Sequence, residues 1–161
     1  MANLWRDSVH GALYRNLPDD PADTQRATAM LVGLEPSRAI ALVRVLAPLA
    51  RARLAADVPC ALDMARELRP ELIILGAGAE GEVSAMLGAL GADEQLEDIP
   101  VIVLATHDAD EIRREAMRGG ALAWLPQTVD AEALLARVRL AVRMRRNTRS
   151  RGSHITTAAR G

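Results

Sequence analysis

Few side chains in this sequence have the chemistry of a catalytic or metal-binding group. The three histidines are far apart in the chain, and only His107 has acids close to it, Asp108 and Asp110. One histidine with two nearby acids is more typical of a solvated loop than of a metal site. The candidate nucleophiles are Cys60, Ser84 and Thr106. Because a nucleophile needs a base to activate it and the sequence reveals none, we expect no enzymatic activity, no metal and no cofactor.

Glycines follow a strongly apolar run in the middle of the chain. The spacing of Gly76, Gly78 and Gly81 is similar to that of a dinucleotide-binding turn, in which backbone N–H groups hold phosphate. A dinucleotide-binding turn follows the first strand of its fold, whereas this turn follows the third predicted strand. In addition, no acid suited to a ribose lies about 20 residues further on. A flexible loop without a nucleotide is the favoured interpretation.

Arginines dominate the end of the chain. From Arg137 onward there are eight arginines and no acid. Guanidinium groups bind phosphate through paired hydrogen bonds and stack on flat bases, so an anionic nucleotide is a candidate ligand. The residues that would hold it are Arg143, Arg145, Arg146, Arg149 and Arg151. The alternative is a solvated helix end, where positive charge suits the helix dipole. Double-stranded nucleic acid is not expected, because no helix-turn-helix or stacking aromatics accompany the arginines.

The composition is that of an ordinary globular chain. Its 161 residues suffice for one domain with a single core, and the net charge of -1 says nothing about partners. With Cys60 as the only cysteine, no disulfide forms within the chain, which favours a reducing cytoplasm. No apolar run approaches the ~20 residues of a membrane span, and the first residues lack the apolar centre of a signal peptide. We expect a cytoplasmic protein.

Apolar runs alternate with amphipathic stretches from residue 27 onward. The central run, Leu72-Ile73-Ile74-Leu75, ends at Gly76 and predicts a strand that is buried on both faces, as in a parallel sheet. The predicted strands cover 27–34, 53–56, 72–75, 101–105 and 121–125. The predicted helices begin near residues 37, 59, 82, 108 or 110, and 131. This alternation predicts an α/β fold, a doubly wound five-stranded parallel sheet in the flavodoxin-like order 2-1-3-4-5.

Local signals also predict how the helices begin and which way they face. Ser37, Asp57 and Asp130 are candidate N-caps. In the first helix, Ile40 recurs with Val43 and Leu46 at helical period and should face the core. In the last helix, an apolar stripe should face inward and the arginines outward; those arginines are Arg137, Arg139, Arg143, Arg145 and Arg146.

Two segments flank the predicted domain, which covers 27–147. Residues 1–26 are interpreted as an N-terminal helical arm and a linker, because Asn3 can cap a helix whose apolar stripe includes Trp5. A helix of this length is unstable alone, so the arm should dock on its own domain, a dimer mate or another protein. Residues 148–161 are predicted to be a basic, flexible C-terminal extension.

Four stretches resemble the response-regulator receiver domain, the CheY-like family. They are Leu31-Val32-Gly33-Leu34-Glu35-Pro36-Ser37, Arg69 to Gly76, Ile99-Pro100-Val101-Ile102-Val103-Leu104-Ala105, and Gly119-Gly120-Ala121-Leu122-Ala123-Trp124-Leu125-Pro126-Gln127. Their order and spacing match the family over roughly residues 27 to 147. The resemblance implies the CheY-like fold and a role in two-component signalling.

The residues that the resemblance assigns to phosphorylation are missing. In this family an acidic pair and an aspartate hold Mg²⁺, the aspartate accepts a phosphoryl group, and a hydroxyl and a lysine bind the product. The acidic pair falls on Gly33 and Leu34, the phosphoacceptor on Gly76, the hydroxyl on Ala105 and the lysine on Gln127. The resemblance therefore predicts a degenerate pseudo-receiver that is not phosphorylated by the family's route.

Two functions remain open from the sequence. The first is an adaptor that binds a signalling protein or a second copy of itself. The resemblance places Trp124 where the family carries a switch aromatic, so it is either an interface anchor or a core residue. The predicted interface comprises Trp124, Arg113, Arg137 and Trp5, around the fourth helix, fifth strand and fifth helix. The second is a cyclic di-GMP sensor, since receiver-like proteins with arginine-rich C-terminal segments include binders of this dinucleotide.

Overall fold

The chain folds as one sheet with helices on both sides. The computed structural model describes residues 26–77, 82–106 and 109–158; the predicted N-terminal arm, with Trp5, lies outside these ranges. The elements are β1 (Ala27–Val32), α1 (Pro36–Leu46), β2 (Ala50–Ala55), α2 (Val58–Leu68), β3 (Leu72–Ala77), α3 (Glu82–Gly91), β4 (Val101–Ala105), α4 (Asp110–Arg118), β5 (Ala123–Pro126) and α5 (Ala131–Ala158). Five parallel strands lie in the order β2-β1-β3-β4-β5. The predicted fold and strand order are confirmed.

The central strand β3 is buried on both faces, as its aliphatic run predicted. It pairs with β1 on one side and β4 on the other. Ile73 and Leu75 belong to an apolar cluster with residues of α2, α3 and α4. Leu72 and Ile74 belong to a second cluster with residues of α1 and α5. Successive side chains of a strand point to opposite faces, so β3 joins the two halves of the core.

Of the three helix caps predicted within the described residues, two are confirmed. The Asp57 carboxylate accepts a hydrogen bond from the Cys60 N–H at 2.9 Å, and the Asp130 carboxylate accepts one from the Ala133 N–H at 3.0 Å. The prediction for Ser37 was wrong, because α1 begins one residue earlier, at Pro36, and has no side-chain cap. Proline suits the first helical position, where its missing N–H would have no partner in the helix.

The buried face of α1 also differs from the one predicted. Ile40 is 55% exposed, whereas Ala39, Leu42 and Leu46 are the buried residues of this helix. The apolar residues of α1 lie on several sides of the helix, so their spacing alone does not show which side is buried. The helix ends at Leu46, two residues before Pro48, and β2 begins at Ala50, three residues earlier than predicted.

The last helix differs most from the prediction. It runs as one element from Ala131 to Ala158, so the chain does not leave the helix at residue 148, where we expected a flexible tail. Arg149 contacts the domain, as described below, and this contact extends the docked part of α5 past the predicted boundary. No helix in the described ranges combines the length and apolarity needed to cross a membrane.

The Asp57 cap provides a test of local stability. Replacing Asp57 with Ala removes the acceptor of the Cys60 N–H, and we expect the free energy of unfolding to fall by about 1 kcal/mol. The control is Asp63→Ala on the same helix, which removes only an exposed ion pair with Arg66 and should change it by less than about 0.5 kcal/mol. Urea denaturation measures both. Equal losses for the two variants would contradict the capping role.

Candidate functional site

The residues that the resemblance singles out gather at the carboxyl edge of the sheet. Gly33 and Leu34 follow β1, Gly76 lies near the end of β3, and Ala105 ends β4. Gln127 follows β5, and its N–H donates a hydrogen bond to the Ala105 carbonyl at 3.0 Å. Open α/β sheets bind ligands beyond this edge. The predicted positions therefore share one region, although their side chains are not those of a phosphorylation site.

The backbones of β1 and β3 approach closely at this edge. A β-carbon placed on Gly76 would lie 2.7 Å from the Gly33 carbonyl oxygen and 2.9 Å from Leu34 Cδ2. The first distance is shorter than any ordinary van der Waals contact, and its partner is a backbone atom. Gly33 itself has φ +64°, in the left-handed region that glycine adopts without strain. The strand ends leave no room for a side chain at position 76.

The oxygen-bearing groups around this edge are sparse. Glu35 is exposed. Glu82 begins α3, and its Oε2 would lie 3.9 Å from a β-carbon placed on Gly33. Thr106, one residue beyond the predicted hydroxyl position, donates a hydrogen bond to the Ala77 carbonyl at 3.3 Å. Among the residues that the structure describes, no group of three or more His, Cys, Asp or Glu side chains is arranged to hold a metal ion.

The tryptophan of the predicted interface is partly buried. Trp124 pairs with Val103 across β4 and β5 and packs against the cluster formed with α2, α3 and α4. Its neighbour Ala123 points to the opposite face, toward α1 and α5. Trp124 therefore contacts the core, as one of the two interpretations predicted, while part of its surface reaches solvent on the edge strand; its role as an interface anchor stays a prediction.

Two further residues of the predicted interface, Arg113 and Arg137, lie on the helices that flank β5, and Trp5 lies outside the described residues. Arg113 of α4 is exposed and forms an ion pair with Asp110 one turn earlier, at 3.2 Å. Arg137 of α5 is exposed. Large apolar side chains are exposed on the same two helices: Met117 on α4, and Leu140 and Met144 on α5.

The arginines of α5 do not form a single site. Arg149 turns toward the amino edge of the sheet, where its guanidinium contacts the Glu71 carboxylate at 3.1 Å and donates to the Arg69 carbonyl at 2.6 Å. The second Glu71 oxygen accepts the Thr28 N–H at 2.6 Å. Glu71 thus joins β1, the start of β3 and the last helix. Unlike Arg149, Arg151 is exposed.

Arg145 was predicted to point outward, and this was wrong. It is 7% exposed, and its buried Nε has no hydrogen-bond partner in the described structure. Burial lowers the pKa of its guanidinium, and the neighbouring charge of Arg149 lowers that pKa further. The position follows Leu134, Val138 and Ala141 at steps of three and four residues, so the helical period did indicate an inward side chain. The opposite prediction followed from its charge, since charged side chains are rarely buried.

Other arginines of α5 line a groove at the amino edge, between this helix and the starts of β1 and β2. The groove has a volume of about 520 Å³. We call it the arginine groove; its lining residues are Arg26, Pro48, Leu49, Arg139, Val142, Arg143, Arg146 and Asn147. Arg143 and Arg146 belong to the ligand-binding set predicted from the sequence, whereas Arg26 and Arg139 do not. The spacing of 139, 143 and 146 along one helical face could have indicated Arg139.

Cys60 is a packing residue in this structure. Its side chain is half-buried against the cluster under α2, with its sulfur 3.8 Å from the Met64 sulfur. Burial raises the pKa of the Cys60 thiol, and the nearby Asp57 and Asp63 carboxylates also raise it. A raised pKa keeps the thiol protonated at neutral pH, which opposes the thiolate that a nucleophile requires.

Comparisons with known proteins give matches in structure only. No family model and no curated protein matches the sequence. The receiver domain of an HD domain-containing protein from Pseudomonas fluorescens superposes with a TM-score of 0.69 at 21% identity, over 76% of this chain and 99% of that one. The chemotaxis protein CheY4 of Vibrio cholerae gives 0.66 at 23% identity, over 72% and 98%. The receiver domain of a histidine kinase from Syntrophus aciditrophicus gives 0.65 at 19% identity, over 72% and 89%. The chain therefore has the CheY-like fold of response-regulator receiver domains.

Proposed function

We propose that this chain is a pseudo-receiver, a non-catalytic module that acts in two-component-type signalling through protein contacts and without phosphorylation. The packing at Gly76 carries the proposal. An aspartate there would place its β-carbon 2.7 Å from the Gly33 carbonyl oxygen, so the phosphoacceptor position holds no side chain unless the backbone moves. A reducing cytoplasm, which suits the single cysteine, is the proposed location.

The remaining positions at the carboxyl edge support the same function. Receiver chemistry requires carboxylates for Mg²⁺ and a cation for the phosphoryl group. Leu34 and Ala105 supply apolar groups, and the Gln127 amide has no charge to stabilise a phosphoryl group. Glu35 is exposed, which favours a solvated carboxylate over a metal ligand held in a pocket.

A partner surface around β5 is the second part of the proposal. β5 is an edge strand, so one of its sides has no neighbouring strand in the sheet. Trp124 is partly exposed on it, and Met117 and Leu140 are exposed on the flanking helices. Exposed apolar side chains near arginines are typical of interface anchors. We propose that a second copy of the chain binds here, with Arg113, Arg137 and Trp5 contributing.

The second candidate function is a cyclic di-GMP sensor that uses the C-terminal arginines. Arg143 and Arg146 in the arginine groove favour it. Arg149, however, pairs with Glu71 and Arg145 is buried, so the five arginines of the predicted set do not share one site. The adaptor function therefore remains the primary proposal.

Phosphorylation is the direct test of the pseudo-receiver. We expect no mass increase of one phosphoryl group when the protein is incubated with acetyl phosphate and Mg²⁺, because no carboxylate occupies position 76. Intact-mass spectrometry measures this, and a receiver domain with the complete set of phosphorylation residues, treated in parallel, is the positive control. A labile phosphoryl adduct on this chain would refute the proposal.

The close packing around Gly76 can be tested by substitution. Gly76→Ala should lower the free energy of unfolding by about 1–3 kcal/mol, since the added carbon meets the backbone of β1. Gly88→Ala is the matched control, because nothing lies within 4 Å of the added carbon and the site is inside α3. It should raise stability by about 0.5–1 kcal/mol. If Gly76→Ala is neutral in thermal and urea unfolding, the strand ends are open and the steric argument fails.

Oligomeric state tests the partner surface. Light scattering after gel filtration should give twice the chain mass of 17.3 kDa. Trp124→Ala should weaken self-association about 30-fold, as loss of a buried aromatic anchor does. Trp124 also contacts the core, so its loss could affect folding as well as binding. The second variant, Arg137→Glu, therefore changes an exposed residue of the predicted interface. Ile40→Ala, exposed on α1, is the control and should leave the dimer intact. A single-chain mass for the unaltered protein would contradict the homodimer.

A further inference from the structure

The arginine groove concentrates positive charge on one face of the molecule. Among the described residues that line it are four arginines and no carboxylate. Three of them, Arg139, Arg143 and Arg146, are spaced three and four residues apart on α5 and so share one helical face. Like charges at this spacing destabilise a helix by a few tenths of a kcal/mol per pair. An arrangement of this kind favours an anion between the side chains.

The helix dipole does not explain these arginines. Positive side chains are stabilised by the dipole only within the last turn of a helix. α5 continues to Ala158, which places Arg139, Arg143 and Arg146 in its middle. Arg145 and Arg149 of the same helix lie near Glu71 instead, and Arg149 contacts its carboxylate directly. The two sets differ in their surroundings: one lies against a carboxylate of the domain, and the other lines an open groove.

The groove also has an apolar part. Pro48 and Leu49 contribute from the turn before β2, and Val142 contributes from α5. The Asn147 amide at the rim can both donate and accept hydrogen bonds. A flat ring packs well on such a surface, and guanidinium groups bind phosphate oxygens in pairs and stack on bases. The volume of about 520 Å³ lies in the range of small-molecule sites.

We propose that the arginine groove binds a nucleotide with two or more phosphate groups. Arg139 and Arg143 contact the phosphates, and the apolar surface of Pro48, Leu49 and Val142 contacts the base. The site lies at the amino edge of the sheet, opposite the carboxyl edge that includes Gly76. It therefore adds a ligand to the adaptor function and does not depend on whether the chain is phosphorylated or dimeric.

Calorimetric titration of the full chain tests the proposal with three probes. ADP should bind saturably at one site per chain. Pyrophosphate, which lacks the base, should bind about tenfold more weakly, and adenosine, which lacks the phosphates, should give no saturable heat. The absence of saturable ADP binding would overturn the proposal. Equal affinity for pyrophosphate and ADP would also overturn it, because the groove would then recognise phosphate alone.

Variants locate the site. Arg26 and Arg146 have other interaction partners, so the test uses Arg139→Gln and Arg143→Gln, each of which should weaken ADP binding about tenfold. Arg151→Gln is the matched control: it removes the same charge from an exposed position of the same helix, and ADP affinity should stay within about twofold. A loss in Arg151→Gln equal to that in Arg143→Gln would place the ligand outside the groove. Thermal unfolding confirms that each variant is folded.

Discussion

The contact between the Gly33 carbonyl and Gly76 determines what the carboxyl edge of this sheet can do. Leu34 Cδ2 lies 2.9 Å from the β-carbon that any larger residue at 76 would add. The residues at 33, 34 and 76 are therefore coupled by packing, because an aspartate at 76 would meet both the β1 backbone and a leucine.

The amino edge of the same sheet is built on polar contacts. Glu71 begins the central strand region, accepts the Thr28 N–H and pairs with Arg149, and its own N–H donates to the Thr28 carbonyl. These bonds hold β1, β3 and α5 together at one point. The rotation of α5 about its axis follows from Leu134, Val138 and Ala141, which are buried in the core, and the pair between Arg149 and Glu71 adds to this packing. The same rotation places Arg139, Arg143 and Arg146 at the groove beside Arg26.

The sequence predicted the parts of this structure that depend on local patterns. The aliphatic run at 72–75 indicated the central strand, and Asp57 and Asp130 indicated two helix starts. The burial of Arg145 and the exposure of Ile40 were missed, since both depend on what packs against the helix from elsewhere in the chain. The arginine groove could not be predicted from the sequence for the same reason. Arg26 and Arg139 are distant in sequence and meet only when α5 lies across the starts of β1 and β2. At the carboxyl edge, the sequence indicated which side chains are missing but not that packing closes the space they would fill.

The docked position of α5 rests on Arg149 more than on Arg145. A buried guanidinium loses its hydration, and the Nε of Arg145 gains no hydrogen bond in return within the described structure; Arg149 lies near and repels it. Such a group contributes little net stability, because desolvation offsets its attraction to Glu71 and Asp98. Arg149 keeps a larger exposed fraction and makes two direct contacts. The pair between Arg149 and Glu71 therefore anchors the outer part of α5, the helix that contributes both Arg137 to the proposed interface and Arg139 to the proposed nucleotide site.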